Sequence, residues 1–358
     1  MTVQGNKKYG VGIVGCGAIS DVHAQALKQI DQAELISVYS RNVENARRLG
    51  EKYEVSWFNT WNMFIQDDRV DVVSICTPSG THLDYGKLAA DAGKHVIVEK
   101  PIEVTLERGQ QLIQACQKNG VKLAIIFQNR FMTPVIELKR KIDSGEIGKV
   151  FQGDAYIKWY RDQAYYDSGA WRGTLALDGG GALINQSIHT IDLLQWIMGD
   201  VSLVFGQIDT FTHERIEGED AAVAVLRFKS GAIGVIEGST SIYPAQERRL
   251  EIHGNRGTAI LDGDKLQVST VNSPSRDESS AGNEQGGAAG ATSPFSGFSI
   301  EPHRRQMEAI FEAISKNQDP PISGPEALKS LAIVLAIYES SKSNSAINLQ
   351  EFLRAKTE

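Results

Sequence analysis

Apolar and polar positions follow two different patterns along the chain, and the first pattern fills its N-terminal third. Short apolar runs rich in β-branched residues (YGVGIV, AELISVY, VDVVSIC, KHVIVE and VKLAIIF) are separated by segments with helical spacing, such as AISDVHAQALKQI and LERGQQLIQACQKNG. A regular alternation of strands and helices is typical of a parallel, doubly wound sheet. We therefore predict an α/β domain over residues 1–127.

The pattern changes after Gln128. A helical segment, TPVIELKRKIDSG, precedes longer runs in which apolar and polar residues alternate, including AAVAVLRF, GAIGVIEGST and RRLEIHG. Such alternation is typical of half-buried strands in an antiparallel sheet. Two helical segments, HRRQMEAIFEAISKN and GPEALKSLAIVLAIYESSKS, close the chain. Residues 128–358 are therefore predicted to form an α+β domain with a large, mostly antiparallel sheet.

Residues 271–297 interrupt that second pattern. They read VNSPSRDESSAGNEQGGAAGATSPFSG, which is rich in Gly, Ser and Ala and poor in large apolar residues. A segment of this composition cannot build a core by itself, so we predict a long loop. A disordered insertion is the first interpretation, and a lid or an arm that reaches a neighbouring subunit is the alternative.

Length and charge exclude several kinds of protein. The chain has 358 residues, which fits two domains, and its 37 basic against 44 acidic side chains give a net charge of -7. This balance offers no basic field for nucleic acid or for an anionic membrane surface. No leader peptide or membrane span is recognisable, so a soluble, cytoplasmic protein is expected. The three cysteines are expected to be reduced, and the seven histidines are scattered without metal-ligand spacing.

The stretch VGIVGCGAIS carries the first candidate chemistry. Gly15 and Gly17 follow a strand and precede a helix that opens with Ala18 and Ile19. Small residues there allow the backbone to approach a pyrophosphate, and the helix N-terminus attracts its charge. Ser20 replaces the third glycine of the dinucleotide fingerprint. We predict a Rossmann-type domain that binds NAD or NADP.

The end of the second strand bears on the choice between these two cofactors. Where an acidic residue would bind the ribose 2′-hydroxyl of NAD, the chain has Ser40 and Arg41. A hydroxyl and a guanidinium suit a 2′-phosphate, which favours NADP slightly. Arg41 stacked on the adenine, or facing solvent, is the alternative.

Four segments together resemble a known family. They are GCGAIS at 15–20, TPSGTH at 77–82, EKP at 99–101 and DGGGALINQSIHTID at 178–192. In order and spacing they are similar to the glucose-fructose oxidoreductase, inositol dehydrogenase and rhizopine catabolism (Gfo/Idh/MocA) family. The resemblance implies an NAD(P)-dependent oxidoreductase in which Thr77, Pro78, Ser79 and His82 line the nicotinamide side, Glu99 and Lys100 reach the nicotinamide ribose, and Gln128 follows the last strand.

A longer stretch, WYRDQAYYDSGAWRGTLALDGGGALINQSIH, resembles one branch of that family. This branch oxidises the 3-hydroxyl of UDP-linked N-acetylglucosamine or of its uronic acid. The inositol dehydrogenases have aspartate where this chain has Asn185, and that difference fits the nucleotide-sugar branch better.

Oxidation of a secondary alcohol requires a hydride acceptor, a base and groups that orient the substrate. Lys100 lies at a strand end, where burial and a positive nicotinamide would disfavour its ammonium form. An ordinary imidazole titrates near neutral pH, which suits His189 as a base, and Asp192, three residues later, is expected to hold this imidazole or, alternatively, only to cap or brace the helix. Lys100 and His189 are therefore the candidate catalytic residues. Lys100 paired only with Glu99, and His189 as an ordinary helical histidine, are the alternatives.

Other residues near His189 are candidates for substrate binding. The three glycines at 179–181 are expected to leave room for the ligand, and Asn185 and Gln186 to bind sugar hydroxyls through their amides. Arg172 could hold a carboxylate or phosphate. Aromatic faces for a sugar or a uracil ring, or alternatively for the core or a subunit interface, are offered by Trp159, Tyr160, Tyr165 and Trp171.

Several functions remain open at this point. The leading one is a dehydrogenase of a sugar or nucleotide sugar, with an inositol or free-sugar dehydrogenase as its variant. A glycosidase that oxidises its sugar transiently with tightly held NAD is the second, and a non-catalytic cofactor sensor is the third. A homo-oligomer, dimer or tetramer, is expected from an exposed face of the second sheet.

Overall fold

The computed structural model of the chain describes residues 8–280 and 299–357. The described chain forms two compact units. The first takes in the chain up to Glu103, then Glu107–Gln128 and Ile300–Ala327, and the second takes in the rest.

This division differs from the predicted boundary at residue 128 in one respect. Residues 300–327 return to the first unit, although they follow the second sheet in sequence. Met307, Ile310 and Phe311 lie in its hydrophobic core, and the ring of Phe311 stacks on Tyr9 with centroids 5.9 Å apart. The helical period of this segment predicted a buried face but not which sheet would bury it.

The first unit contains the predicted parallel sheet. Its strands are β1 (Tyr9–Val14), β2 (Ala33–Tyr39), β3 (Ser56–Phe58), β4 (Val72–Ile75), β5 (His95–Val98) and β6 (Leu123–Ile125). Its helices are α1 (Ala18–Leu27), α2 (Val43–Tyr53), α3 (Trp61–Ile65), α4 (His82–Asp91), α5 (Leu106–Lys118, whose first residue belongs to the second unit) and α9 (Glu301–Ser315).

The strand order is β3-β2-β1-β4-β5-β6, and all neighbours are parallel. This confirms the doubly wound α/β prediction. The order reverses between β1 and β4, and the loops that follow these strands meet at the edge where such sheets bind nucleotides. The sequence pattern missed β3 because it has three residues and none of them is buried.

The second unit is built on a larger sheet. Its strands are β7 (Val150–Lys158), β8 (Val201–Asp209), β9 (Ala221–Phe228), β10 (Ile233–Ser239), β11 (Arg249–Gly254), β12 (Gly257–Asp262), β13 (Lys265–Thr270), β14 (Ser273–Ser280) and β15 (Ile347–Asn348). Its helices are α6 (Thr133–Asp143), α7 (Gln163–Asp167), α8 (Ile188–Met198), α10 (Gly324–Ser343, which begins in the first unit) and α11 (Leu349–Thr357).

Among the described residues this sheet has the order β14-β13-β12-β11-β7-β10-β9-β8-β15. The pair β7–β10 is parallel and the other pairs are antiparallel, which confirms a mostly antiparallel sheet. In β9 alternate residues are buried, as its sequence predicts. No helix of the described chain combines the length and apolar character that a bilayer crossing requires.

The loop prediction for 271–297 is wrong over its first part. Residues of β14 pair antiparallel with β13, with Lys265 opposite Ser280 and Thr270 opposite Ser273. An edge strand needs backbone partners more than apolar side chains, so its polar composition gave no strand signal. The rest of the predicted loop, residues 281–297, lies outside the described residues.

Candidate active site

In the first unit, the loop between β1 and α1 contains two glycines, and the lack of a side chain matters for a different reason at each. Gly15 has φ +90°, and a Cβ there would lie 2.8 Å from the backbone of Cys76. Gly17 is the N-cap of α1, and a Cβ there would meet nothing within 4 Å. Gly15 is therefore required by packing, whereas Gly17 leaves open space at the helix N-terminus. Ser20, in place of the third glycine, is buried and donates to Gly17 O.

The residues after β2 are polar and accessible. Ser40 is half-buried, and its hydroxyl accepts a hydrogen bond from Asn42 N at 3.2 Å, while Arg41 is exposed. Arg48, which the sequence analysis did not single out, lies on α2 and donates to Cys16 O at 3.3 Å. Its charge therefore stands beside the glycine loop.

His82 joins the loops that follow β4 and β5. It is fully buried, and its ring nitrogens lie 3.0 Å from Thr77 O and 2.9 Å from Pro101 O. Burial lowers the pKa of His82, so the ring is neutral and donates to one carbonyl at a time. Pro78 caps a short 3₁₀ turn, Ser79–Thr81, that directly precedes His82. His82 therefore supports this edge from inside, in contrast to the lining role that the resemblance implies.

Glu99 lies in a buried cluster that sequence spacing did not predict. Its Oε1 is 2.8 Å from His23 Nε2 and 3.6 Å from His303 Nε2, and its Oε2 accepts the Lys100 N–H at 3.1 Å. Burial opposes its charge, but hydrogen bonds and charge interactions with the two histidines hold the pKa of Glu99 well below its usual range. The 2.8 Å separation between Glu99 and His23 is that of a hydrogen bond. The three side chains of this cluster, His23, Glu99 and His303, therefore interact directly with one another, and their proximity does not require a metal ion.

Lys100 and Gln128 differ in exposure. Lys100 is half-buried and follows directly on Glu99, so the backbone on both sides of it is held by the buried cluster and by Pro101. Gln128 is buried, and its Oε1 accepts no hydrogen bond within residues 8–280 and 299–357. A buried acceptor without a donor is costly, which makes this amide a candidate ligand contact.

In the second unit, the structure corrects the reason for the three glycines at 179–181. A Cβ on Gly179 would lie 2.7 Å from Ile184, one on Gly180 2.3 Å from the Tyr338 hydroxyl, and one on Gly181 1.9 Å from Glu219 O. The missing side chains thus make room for neighbouring parts of the same unit. The sequence analysis recognised the glycine run as unusual but did not predict these partners, which are Ile184, Tyr338 on α10 and the segment before β9.

A π helix, Ala182–Ser187, follows the glycines and continues into α8. The sequence predicted an ordinary helix here, and π turns occur frequently at functional sites. Asn185 lies on the π helix, half-buried, and its amide donates to Asp178 Oδ1, while the other oxygen of Asp178 accepts Gly173 N–H at 2.8 Å. Asp178 was not recognised as a partner because its role depends on this fold.

Gln186 belongs to a cluster with Arg161, Tyr165 and Arg172, which we call the Arg/Tyr cluster. Gln186 accepts from Arg161 at 2.9 Å and donates to the Tyr165 hydroxyl at 2.8 Å and to Asn185 Oδ1 at 2.8 Å. Arg172 donates to the same hydroxyl at 2.7 Å and lies over the Tyr165 ring at 4.4 Å. The sequence missed Arg161, which is buried and follows two aromatic residues.

The predicted aromatic candidates fall into two groups: some contact the Arg/Tyr cluster, and Tyr160 packs against a different residue. Arg161 lies over the ring of Trp159 at 5.3 Å, and Arg172 lies over the ring of Trp171 at 4.7 Å. Tyr160 is half-buried and packs edge-to-face on Tyr243 at 5.2 Å. The structure therefore brings Arg172, Asn185 and Gln186 together with Tyr165, and gives Tyr160 a different partner.

Asp192 has a strong partner that the sequence analysis did not predict, and its expected support of His189 stays a prediction. Both carboxylate oxygens of Asp192 accept from the Arg130 guanidinium at 2.7 Å, and this pair is buried. The carboxylate thus anchors α8 to the segment before α6. His189 itself lies on the first turn of α8 and is half-buried.

These features define a class of protein. A parallel nucleotide-type sheet with an open glycine loop, joined to a second unit with a large mixed sheet, is the architecture of a dinucleotide-dependent dehydrogenase. The model of an oxidoreductase family with an NAD-binding Rossmann fold matches residues 9–127, and the model of the GFO/IDH/MocA C-terminal domain matches residues 135–260. The chain belongs to the Gfo/Idh/MocA family and is a sugar oxidoreductase, an NAD-dependent dehydrogenase that acts on CH–OH groups.

Relatives of known activity cover nearly the whole chain. The myo-inositol 2-dehydrogenase of Thermotoga maritima is 28% identical over 96% of this chain and 99% of its own length. The WlbA dehydrogenase of Bordetella pertussis, solved with NADH and UDP-GlcNAcA, is 31% identical with a TM-score of 0.82, and the match covers 96% of this chain and 99% of that one. A levoglucosan dehydrogenase solved with NADH and levoglucosan is 22% identical with a TM-score of 0.85 over 96% of this chain and 100% of that one, which shows the shared fold.

Proposed function

We propose that this chain oxidises the 3-hydroxyl of a nucleotide sugar, UDP-N-acetylglucosamine or its uronic acid. The observation that carries the proposal is the Arg/Tyr cluster beside Asn185. It combines guanidinium groups, an aromatic ring and uncharged amides, which suit a carboxylate, a sugar face and sugar hydroxyls respectively. The likeness to the Bordetella protein bound to UDP-GlcNAcA supports the same substrate class.

The residues of the first unit fit a dinucleotide. Gly17 leaves space at the N-terminus of α1, and the buried Oε1 of Gln128 lacks a donor among the described residues. We assign cofactor contacts to Gly15, Gly17, Ala18, Ile19, Thr77, Ser79, Lys100 and Gln128. The bound nicotinamide would accept the hydride from the substrate carbon. Ser40 and Arg41 favour NADP slightly, since neither is an acidic partner for a ribose hydroxyl.

Lys100 and His189 are the proposed proton-transferring residues. Each is half-buried, so each can contact solvent or ligand. Asn185 and Gln186 would orient the sugar without adding charge. In this assignment the first unit binds the cofactor and the second binds the sugar.

The decisive experiment is a substrate screen on the purified protein. UDP-N-acetylglucosamine, its uronic acid, myo-inositol and free hexoses are each supplied with NAD⁺ or NADP⁺, and reduced nicotinamide is followed by absorbance. We expect steady reduction with a UDP-sugar. Reduction with free sugars alone would contradict the nucleotide-sugar assignment.

Inositol oxidation is the second candidate, because the Thermotoga relative is a myo-inositol 2-dehydrogenase. The same screen separates it from the first. A glycosidase with transient oxidation would release an aglycone without accumulating reduced cofactor, and a cofactor sensor would bind dinucleotide and turn over none of the sugars.

A further inference from the structure

Glu219 has a buried carboxylate aimed at the start of the π helix. It lies just before β9, and one oxygen accepts the Gly181 N–H at 3.0 Å while the other accepts the Leu183 N–H at 2.6 Å. The Tyr338 hydroxyl donates to the second oxygen at 3.1 Å. The backbone carbonyl of Glu219 accepts the Ala182 N–H at 2.8 Å. One residue therefore binds three successive amides that precede Asn185.

The glycine run is shaped to allow this contact. A Cβ on Gly181 would lie 1.9 Å from Glu219 O, and one on Gly180 would lie 2.3 Å from the Tyr338 hydroxyl. The segment before β9 also needs a glycine, because a Cβ on Gly218 would lie 2.4 Å from the Gly180 carbonyl carbon. The two segments thus fit each other backbone to backbone, which is the reason that the chain carries glycines at these positions.

We propose that Glu219 is a positioning residue of the dehydrogenase: its carboxylate fixes the Gly181 and Leu183 amides, on either side of the amide that its backbone carbonyl holds, and thereby sets the orientation of Asn185 and Gln186 toward the sugar. The inference rests on the proposed function, because it assigns Glu219 a role in sugar binding. Glu219 would touch neither substrate nor cofactor. It would act through the helix that follows the glycines.

This arrangement makes sugar binding sensitive to pH. Burial raises the pKa of Glu219 to about 7, although the amides and the Tyr338 hydroxyl favour its charged form. The ionisable groups that interact with it are Tyr338 on α10 and Tyr166 on α7, and the charge of Asp178, before the glycine run, acts on both of these tyrosines. Asp220, its neighbour in sequence, is bound to His213, which packs on Tyr166.

The direction of the effect follows from the number of acceptors. The carboxylate has enough lone pairs to accept from all three donors, which are the Gly181 N–H, the Leu183 N–H and the Tyr338 hydroxyl. When the acid is protonated, one oxygen carries a hydrogen that must itself be donated, and this hydrogen takes the place of one of the three donors. The hold of the Glu219 carboxylate on the Gly181 and Leu183 amides, which we call the clamp, therefore weakens as pH falls through 7. Its stability effect has the opposite sign, because a raised pKa means that the folded state binds the proton more tightly and that ionisation costs stability as pH rises.

The test compares Glu219→Gln with Asp220→Asn. Glutamine keeps the size but cannot titrate, and its amide nitrogen replaces one acceptor. Asp220 is equally buried and accepts from Phe211 and Thr212 N–H, and its interactions, against the opposing effect of burial, hold its pKa at about 2, so it is a matched structural control. Hydrogen exchange of peptides covering residues 178–192 and KM for UDP-N-acetylglucosaminuronate are measured between pH 5.5 and 8.5.

We expect Glu219→Gln to raise KM by about tenfold at pH 8, the effect of one lost hydrogen bond to a charged group, and to have less effect at pH 6. The amides of 181–183 should exchange faster in this variant at pH 8, while Asp220→Asn leaves the pH dependence as in the wild type. A variant-to-wild-type ratio that does not change with pH, or unchanged exchange at 181–183, overturns the proposal. Faster exchange in a chain whose wild type oxidises no sugar would support the clamp and contradict the proposed function.

Discussion

At the scale of single residues, the hydrogen-bond partner of Asn185, Asp178, determines which residues can replace it. Its amide nitrogen donates to Asp178, whose other oxygen accepts a backbone amide. An aspartate could not donate there unless it were protonated, so aspartate at position 185 would either lose this hydrogen bond or take up a proton. The sequence identified Asn185 and Gln186 as polar candidates but not their partners, because these stand 7 and 21 positions away.

Asn185→Asp should therefore destabilise the second unit in a pH-dependent way. Two adjacent carboxyls raise the pKa of one of them, so the folded state takes up a proton that the unfolded chain has lost. We expect the loss of unfolding free energy to be larger at pH 8 than at pH 5, measured by urea unfolding. Asn185→Ala loses the same hydrogen bond without adding charge, and its loss should be equal at both pH values. Equal losses for both variants would contradict the argument.

Lys100→Met should abolish turnover and leave dinucleotide binding within about tenfold, since the glycine loop and the end of α1 hold the pyrophosphate. The measurements are kcat and the fluorescence titration of NADH. Lys122→Met is the control, because Lys122 is a partly buried lysine paired with Asp319. Normal turnover in the Lys100 variant would remove this residue from the mechanism.

His189→Ala should lower kcat by ~10²- to 10⁴-fold and remove or shift the acidic limb of the rate profile that the histidine contributes. The rate is measured from pH 5.5 to 9. His253 on β11 is also half-buried, and His253→Ala should keep the profile of the wild type. An unaltered acidic limb in the His189 variant would show that another group is the base.

At the scale of elements, the sequence predicted strands correctly where apolar periodicity is strong. It missed strands that are formed by backbone pairing without an apolar pattern. The β1, β2, β4, β5 and β6 runs of the first sheet lie where the sequence predicted them, and β1, β4 and β6 are buried along their whole length. In contrast, β14 is an edge strand in a polar segment, and the π helix differs from an α helix by hydrogen-bond spacing that periodicity does not reveal. The glycine run was recognised as unusual, but its cause is a tertiary contact.

Gly181→Ala tests that contact. A Cβ on Gly181 would lie 1.9 Å from Glu219 O, so an alanine side chain has no room at this position. We expect a loss of roughly 1–3 kcal/mol in unfolding free energy, as overpacked positions show. Gly17→Ala is the contrasting variant, because its Cβ would enter open space. It should keep the stability of the wild type and weaken NADH binding, and a stable Gly181 variant would contradict the packing argument.

At the scale of the whole molecule, one face of the second sheet lacks a cover among the described residues. Exposed apolar side chains lie on adjacent strands, and we call this set the sheet face: Leu203 and Phe205 on β8, Val223 and Val225 on β9, and Ile233 on β10. Val225 stands opposite Phe205 and Val235 in register. A contiguous apolar patch of this kind is typical of a protein interface, and the negative net charge of -7 argues against nucleic acid as its partner.

We predict that the sheet face joins two copies of this chain, as the sequence analysis expected of a homo-oligomer. Val223 and Val225 are 55% and 52% exposed, and the double replacement Val223→Lys with Val225→Lys would bury charges in such an interface. Light scattering after size exclusion should show a dimer or tetramer for the wild type and a smaller assembly for the variant. Added lysines reduce the magnitude of the net charge, so general repulsion cannot explain dissociation. Met63→Lys, at a residue 61% exposed on α3, should leave the mass unchanged. A monomeric wild type, or a double variant that keeps the mass of the wild type, would show that the sheet face does not mediate association.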